Sequence, residues 1–416
     1  MRLITFLRFM RQILKKGPAD LNWIQRQGLL AVKLAQIFAL RSDILSVEKC
    51  QQLQSLYQHA ATIPSEDVFA NIDTRGPQGF RNAFEWIDEK PLAAASVGQV
   101  HRARLTNGDD VVIKIIKSQN EKQFRRDVNR MRRWLKIFLF FSPKLRKVGN
   151  PIALLNHVAD YTTRELDLTN EISGANELKG IQNEIKEKFP MPLLRFPKYY
   201  SDISNEHVLV SEYIRGVSLE DGINAGNLEW ETLLQLFRIH GAFLFGIGTF
   251  HGDLHPGNCI IDENGKFVFI DNGAICHAPK HVNETLFSFF KHLSKQQLTE
   301  AFDALLEMSN ADLEGVKLQK YHAKMNEIYE NFELKPVGEQ SLTQIMMKTV
   351  RTAVEKAKAD FGEEAFPIIR ALMYLDGLVI RTHPDVMLIQ SMGPYLEEFR
   401  IGLEIGEKDD GGEFSK

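Results

Sequence analysis

The stretch His251-Gly252-Asp253-Leu254-His255-Pro256-Gly257-Asn258, with Asp271-Asn272-Gly273 opening thirteen residues after its last member, decides how this chain is read. Phosphoryl transfer asks a protein for a carboxylate beside the acceptor oxygen, an amide oxygen for one Mg2+, and a second carboxylate bridging Mg2+ to the phosphates. Asp253, Asn258 and Asp271 supply those groups in that order. Between them, Cys259-Ile260-Ile261-Asp262 and the run from Lys266 to Asp271 read as strands. They are joined at Asn264-Gly265, a dipeptide that favours a tight hairpin and returns Asp271 toward Asn258. Plainer readings exist for each piece: Asp253 as a turn residue ahead of Pro256, and Asp271-Asn272-Gly273 as a bare turn. Another takes His251, Asp253 and His255 as a facial ligand set for iron, but it leaves Asn258 and Asp271 without roles.

Upstream, Lys114 sits inside Val111-Val112-Ile113-Lys114-Ile115-Ile116-Lys117, the second arm of a hairpin that turns at Asn107-Gly108. A lysine flanked by apolar residues is costly to bury unless it is paired, and Glu171 is the natural partner. A kinase fold places such a pair on its third strand and first large helix, where it holds the α- and β-phosphates. Lys117, at the strand's end, is the poorer candidate. The segment from Pro91 to Val100 lies where a kinase has its glycine-rich phosphate cover, yet Ala93, Ala94, Ala95, Ser96 and Val97 stand there. Cβ atoms restrict the backbone, so a nucleotide is expected to be held differently from that of a typical protein kinase.

Composition bounds the rest. With 44% hydrophobic and 25% charged residues the 416-residue chain is globular in character, long enough for two or three domains. The 51 Lys and Arg nearly balance 54 Asp and Glu, so bulk charge argues against nucleic acid as a partner. Cys50, Cys259 and Cys276 are too few and too scattered for a disulfide framework, which suits a reducing compartment. No run reaches the ~20 apolar residues needed to cross a bilayer. The first sixteen residues mix apolar side chains with Arg2, Arg8, Arg11, Lys15 and Lys16 and hold no acid. They read either as a basic amphipathic helix on an anionic membrane or as a first helix packed on the domain. Residues 121–147 carry ten Lys or Arg against Glu121 and Asp127, interleaved with Trp134 and Phe138 to Phe141, and read either as a helix with a solvated basic face and an ordinary core face or as one that faces a membrane or a partner.

The pattern predicts helices through the first ninety residues, with a fresh start at Pro64-Ser65, then a strand pair between Glu89 and Lys117. A long helix carrying Glu165, Asp167 and Glu171 is expected after Pro151, then strands near Tyr199 and at 208–214. A helix over 228–249 precedes the catalytic stretch, and helices continue to about Gly402 before an acidic tail.

Together these motifs resemble the UbiB/AarF-type atypical kinases of the protein-kinase-like superfamily, the group associated with coenzyme Q (ubiquinone) biosynthesis. Lys33-Leu34-Ala35-Gln36 is similar to the family's K-x-G-Q signature, the alanine-rich segment to its nucleotide loop, Glu165-Leu166-Asp167 to its E-x-D, and Ser211-Glu212-Tyr213-Ile214 to the hinge that receives adenine. Ala35 stands where the motif has glycine, and Asn272 replaces the aromatic of Asp-Phe-Gly. Aminoglycoside and choline phosphotransferases share the His251–Asn258 type of loop, so the narrower assignment rests on the Lys33/Gln36 segment and the alanine loop.

The resemblance implies an α+β, bilobed protein-kinase-like fold with an N-terminal helical extension over 1–88, an N-lobe over 89–213, a helical C-lobe over 214–402 and a loose tail over 403–416. It implies ATP or ADP and Mg2+, with Lys114, Glu171 and Asp253 catalytic, Asn258 and Asp271 on the metal, and Glu212, Tyr213 and Ile214 at the base. It places Lys33, Gln36, Glu165 and Asp167 in a contact between extension and lobe. On a helix Lys33 and Gln36 are three apart and share a face. The implied function is a kinase or ATPase supporting ubiquinone biosynthesis, located in the cytoplasm or peripherally on the inner face of the membrane. Implied partners are quinone-pathway lipid or phenol intermediates, the enzymes that process them, and an anionic membrane surface. The rival readings are a nucleotide-gated lipid-binding scaffold with little turnover, and a small-molecule phosphotransferase.

Overall fold

The computed structural model describes residues 3–39, 45–58, 62–95, 97–117, 120–141, 151–309, 311–362 and 365–405. Ser96, residues 142–147 of the basic segment and the tail beyond 405 lie outside the described residues. In chain order the elements are α1 (Leu3–Leu14), α2 (Leu21–Arg26), α3 (Leu29–Phe38), α4 (Val47–Gln58), α5 (Ser65–Arg75), β1 (Phe84–Ala94), β2 (Gly98–Leu105), β3 (Asp110–Ile116), α6 (Asn120–Phe141), α7 (Pro151–Glu165) and α8 (Thr169–Ile185). They continue with β4 (Leu194–Arg195), β5 (Val208–Glu212), β6 (Gly216–Ser218), α9 (Leu219–Asn224), α10 (Trp230–Gly241), β7 (Thr249–His251), β8 (Cys259–Asp262), β9 (Phe267–Phe269) and β10 (Ile275–His277). The helices α11 (Lys280–Ser294), α12 (Leu298–Met308), α13 (Gly315–Ile328), α14 (Leu342–Thr352), α15 (Ala365–Thr382) and α16 (Leu388–Gly402) complete the chain. The protein is thus α+β, with a run of helices ahead of its first strand.

By contact the chain forms two units. The first holds Met1–Asn176, Phe196–Gly216 and Val268–Ala274; the second holds Glu177–Arg195, Val217–Phe267 and Ile275–Lys416. In the first, an antiparallel sheet runs β1-β2-β3-β5. Its pleat sends Val111, Ile113 and Ile115 into a core shared with Val68, Ile72, Val208 and Val210, and leaves Lys114 on the other face. A second core gathers Phe9 and Ile13 of α1, nearly all of α3, Phe124, Val128 and Met131 of α6, and Leu166 and Leu168. Eight consecutive α3 residues, Leu29 to Gln36, are buried, as befits a helix enclosed on every side. The methyl of Ala35 is accommodated there with no exposed surface.

Several boundaries differ from the sequence reading. The expected strand pair is β2 and β3, but a further strand, β1, precedes it from Phe84, so Ala93 and Ala94 close a strand paired with Val100 and Gln99 instead of lying in a loop. Alternating Phe84, Trp86 and the flanking acids form an edge strand whose polar face conceals the period. Pro64, not Ser65, is the cap of α5, and no side chain caps it. The helix expected after Pro151 is broken at 166–168: Asp167 accepts from the Thr169 amide at 3.0 Å and its hydroxyl at 2.6 Å, starting α8 afresh. Near Tyr199 there is a single bridge, to Ser211. α10 runs out through a π-type turn over Ala242–Ile247 and stops at Gly248, whose φ of +80° suits glycine.

In the second unit, β7 pairs with β10, and Asn264-Gly265 turns between β8 and β9 with Gly265 at φ +75°. Asp262 holds that turn by accepting from the Asn264 and Lys266 amides, both at 2.9 Å, while Arg195 neutralises it at 2.7 Å.

Candidate active site

Lys114 is the centre of the first unit's polar cluster. Its ammonium donates to Glu171 Oε1 and lies 2.9 Å from Asp271 Oδ2. Strand pleating aims Lys114 away from the sheet core, and the first turn of α8 presents Glu171 to it. A Cβ on Gly98 would meet the Lys114 stem in ordinary contact at 3.6 Å and crowd the Ile115 carbonyl at 3.3 Å. Asp271 reaches the amine through a left-handed backbone, φ +57°, which costs a non-glycine residue on the order of 1 kcal/mol and is best tolerated by Asp and Asn.

Burial alone would push the Lys114 amine down, but the carboxylates of Asp271 and Glu171 outweigh it and hold the ammonium well above the ordinary lysine range. Burial pushes Glu171 up to about 7, with Lys114 opposing and the nearby Asp271 charge adding to the rise. Two acids share one base.

Behind Asp271, Asn272 is fully buried where a kinase has an aromatic. Its amide donates to the Phe269 carbonyl at 2.8 Å and the Tyr199 hydroxyl at 3.2 Å. Two residues before Asp271, Phe269 packs edge-on to Phe196 with centroids 6.2 Å apart. Burial, with Glu171 adding to it, raises Tyr199 and keeps it a neutral phenol beside the cluster.

The alanine segment closes as a tight turn. The Ala95 amide donates to the Gly98 carbonyl at 2.9 Å, and the Lys117 amide to the Val97 carbonyl at 2.8 Å. Lys117 also donates its ammonium to the Ala95 carbonyl at 2.7 Å, and burial lowers that amine to about 8. Lys117 is therefore a tether of this turn rather than a member of the Lys114 cluster. At the end of β5 the Tyr213 amide donates to the Asp110 carbonyl at 3.1 Å and the Glu212 amide to Lys198 at 2.8 Å. Ile214 is buried just beyond.

Lys33 pairs with Glu165 at 2.5–2.6 Å and lies 5.2 Å from the Tyr161 ring centroid. Gln36 donates its amide to the Leu56 carbonyl of α4 at 3.1 Å. Asp167 caps α8 as described above.

In the second unit the loop after β7 is held by its own backbone. The Asp253 amide donates to His251 Nδ1 at 3.2 Å, the His255 amide to the Asp253 carbonyl at 2.8 Å, and Asn258 Nδ2 to that same carbonyl at 3.0 Å. His255 Nδ1 accepts from the Gly257 amide at 3.1 Å. Each histidine thus spends a nitrogen on the loop, and no cluster of three His, Cys, Asp or Glu placed to hold a metal occurs among the described residues. The iron reading loses its footing. The side chain of Asp253 accepts from the hydroxyl of Tyr374 at 2.7 Å. Sequence inspection missed both Tyr374, in a hydrophobic run, and Tyr199, in a mixed segment with no motif; each is far in sequence from its partner.

The sequence pattern of the ABC1 atypical kinase-like domain matches residues 55–305, more than half of the chain. The chain belongs to that family. Relatives of this ABC1 chain named Probable protein kinase UbiB include those of Pseudomonas fluorescens strain Pf-5, 26% identical over 390 residues, and Azotobacter vinelandii, 26% identical over 392. Each match covers 90% of this chain and 70% of the relative. A solved structure, the complex of Rv3197 with erythromycin from Mycobacterium tuberculosis, shares the fold with a TM-score of 0.52 at 18% identity, covering 92% of this chain and 95% of that one. An ABC1 protein is a kinase-like enzyme of the phosphotransferase or ATPase class, and among the described residues no helix is long and apolar enough to cross a membrane.

Proposed function

We propose that this ABC1 protein is an Mg2+-dependent, ATP-using kinase or ATPase that supports ubiquinone biosynthesis, acting on or near membrane lipid intermediates. The observation that carries the reading is the buried Lys114–Glu171–Asp271 cluster, an ammonium ready for phosphate oxygens with one carboxylate to orient it and another to bind metal. Lys114 contacts the α- and β-phosphates and Glu171 fixes its amine. Mg2+ takes oxygen ligands; in the first unit the Asp271 carboxylate would supply one, and in the second the Asn258 side chain has its nitrogen engaged with Asp253 and its amide oxygen to offer. When bound, Mg2+ neutralises the charge that develops on the phosphates. Asp253 receives the proton of the attacking hydroxyl or water. The alanine-rich segment Ala93, Ala94, Ala95, Ser96 and Val97 is the part of the chain that covers the phosphates. Because the Glu212 and Tyr213 amides are already bonded, adenine meets the Ile214 amide. The Lys33–Glu165 pair ties the helical extension in place, with Gln36 bracing α3 against α4 and Asp167 starting α8 beside it, and this contact limits which acceptors enter.

Membrane proximity is supported by α1, whose outer stripe exposes Ile4, Leu7 and Leu14 among Arg8, Arg11 and Lys15, and by the exposed bases Lys122, Arg126, Arg130, Arg133 and Lys136 of α6. The test is Asp271→Asn. Mg2+-dependent nucleotide binding and turnover should vanish in the purified variant, and the variant should fail to restore quinone in lipid extracts of a deletion strain. Unchanged turnover removes Asp271 from the site; a normal quinone level in the deletion strain removes the pathway and leaves the chemistry.

A further inference from the structure

The hydroxyl of Tyr374, on α15, donates to Asp253 Oδ1 at 2.7 Å across 121 positions of sequence, and both side chains are buried. A buried carboxylate of this kind needs a donor, and a phenol is a strong, geometrically rigid one with few torsions to freeze. Loop and helix divide the work. The catalytic loop fixes the backbone of Asp253 through His251, His255 and Asn258, yet none of those bonds sets the rotation of the carboxylate about its own axis. The bond from Tyr374, by contrast, falls on the carboxylate itself.

The ring is braced in turn. His255 packs edge-on against it with centroids 6.1 Å apart. Two residues on, Asp376 is buried and accepts from Ser341 Oγ at 2.6 Å, the Thr343 amide at 2.9 Å and the Leu342 amide at 3.2 Å, which locks α15 to the start of α14. Seven residues on, Arg381 clamps Glu220 of α9 through two bonds of 2.6 and 2.9 Å. The phenol is therefore delivered from a backbone pinned on both sides.

We propose that Tyr374 is the positioning residue of Asp253: it holds the carboxylate plane in the orientation that receives the acceptor's proton, and it touches neither nucleotide nor acceptor itself. The inference rests on the reading of Asp253 given above. A general base must stand within hydrogen-bonding reach and alignment of the proton it takes, and misplacement of about 1 Å costs on the order of a hundredfold in rate.

The experiment compares Tyr374→Phe, which keeps the ring and loses only the hydroxyl, with Asp253→Asn and the unaltered full chain. ATP hydrolysis is measured under Mg2+, and each rate is divided by the fraction of molecules that bind a fluorescent ADP analogue, so that any misfolded protein drops out. Tyr374→Phe is expected to lower kcat by roughly tenfold to a hundredfold while KM for ATP and affinity for the ADP analogue stay within about twofold, a split that a merely structural role does not produce. An unchanged kcat, a raised kcat, or a loss confined to KM overturns the proposal. Full activity in Asp253→Asn, or no turnover by the unaltered chain, overturns the underlying reading as well. An inactive Asp253→Asn beside a fully active Tyr374→Phe overturns the positioning role alone.

Discussion

Replacing Lys114 by Met tests whether the amine and its two acids form one electrostatic unit. The side chains of Lys114 and Glu171 are 14% and 8% exposed, while that of Asp271 is 36% exposed and can turn to water. Removing the ammonium therefore strands chiefly Glu171. Leaving a buried charge without its partner typically costs 3–5 kcal/mol, and the partial exposure of Asp271 favours the lower end, about 3 kcal/mol at pH 7.5. The sign of the pH dependence follows from Glu171. Its carboxyl sits at about 7 in the folded protein against an ordinary 4.5, so its contribution is fully present below about pH 4.5 and is lost as pH rises through about 7. Without Lys114 the carboxyl moves higher still, so the deficit of Lys114→Met should shrink between pH 7.5 and pH 6. The double variant Lys114→Met/Glu171→Gln should cost less than the sum of its parts, by about 1–3 kcal/mol, and should lack that slope. Urea unfolding followed by tryptophan fluorescence reads the right region, since Trp23, Trp86 and Trp134 all lie in the first unit. Additive costs, together with a Lys114→Met deficit equal at both pH values, would refute the claim that the three groups share one buried field.

His240 is fully buried on α10, with neither ring nitrogen hydrogen-bonded, and burial, with His251 nearby, pushes it down to about 3. The unfolded chain then binds the extra proton below about pH 6.5, so stability falls as pH falls, by about 2 kcal/mol at pH 5; melting temperatures of His240→Leu should decline less over that range, and parallel curves would contradict the assignment. Vesicles containing anionic lipid should retain the protein at low salt, neutral vesicles should not, and Arg8→Glu/Arg11→Glu should weaken retention, at about 1 kcal/mol per base. Equal retention by both vesicle types would remove the electrostatic part of that reading.

What the sequence made legible was local chemistry with a strict period or a strict turn. Lys114 stood out because apolar residues flank it on both sides, and Asn107-Gly108 and Asn264-Gly265 marked hairpins because few other dipeptides reach positive φ so readily. Asp271 was recognisable by type and spacing, although its left-handed backbone was not. Where local signals conflicted, boundaries slipped. No glycine or proline announces the break at Leu166-Asp167-Leu168, and only the Asp167 cap and the burial of both leucines explain why α7 stops there. The polar face of β1 likewise disguised a strand as the end of a helical region.

Tyr374 was beyond reach for a different reason. Within Ala371-Leu372-Met373-Tyr374-Leu375 it is one more large side chain on the inner face of a helix, and an amphipathic pattern specifies burial without specifying what the buried hydroxyl meets. A polar tip on an apolar face is nonetheless a demand for a partner, because leaving it unsatisfied costs about 1–3 kcal/mol. Such a tip therefore implies that a partner exists. Only the packing of α15 reveals that the partner is the carboxylate of Asp253, so a residue with no motif of its own is joined to the loop the sequence singled out first.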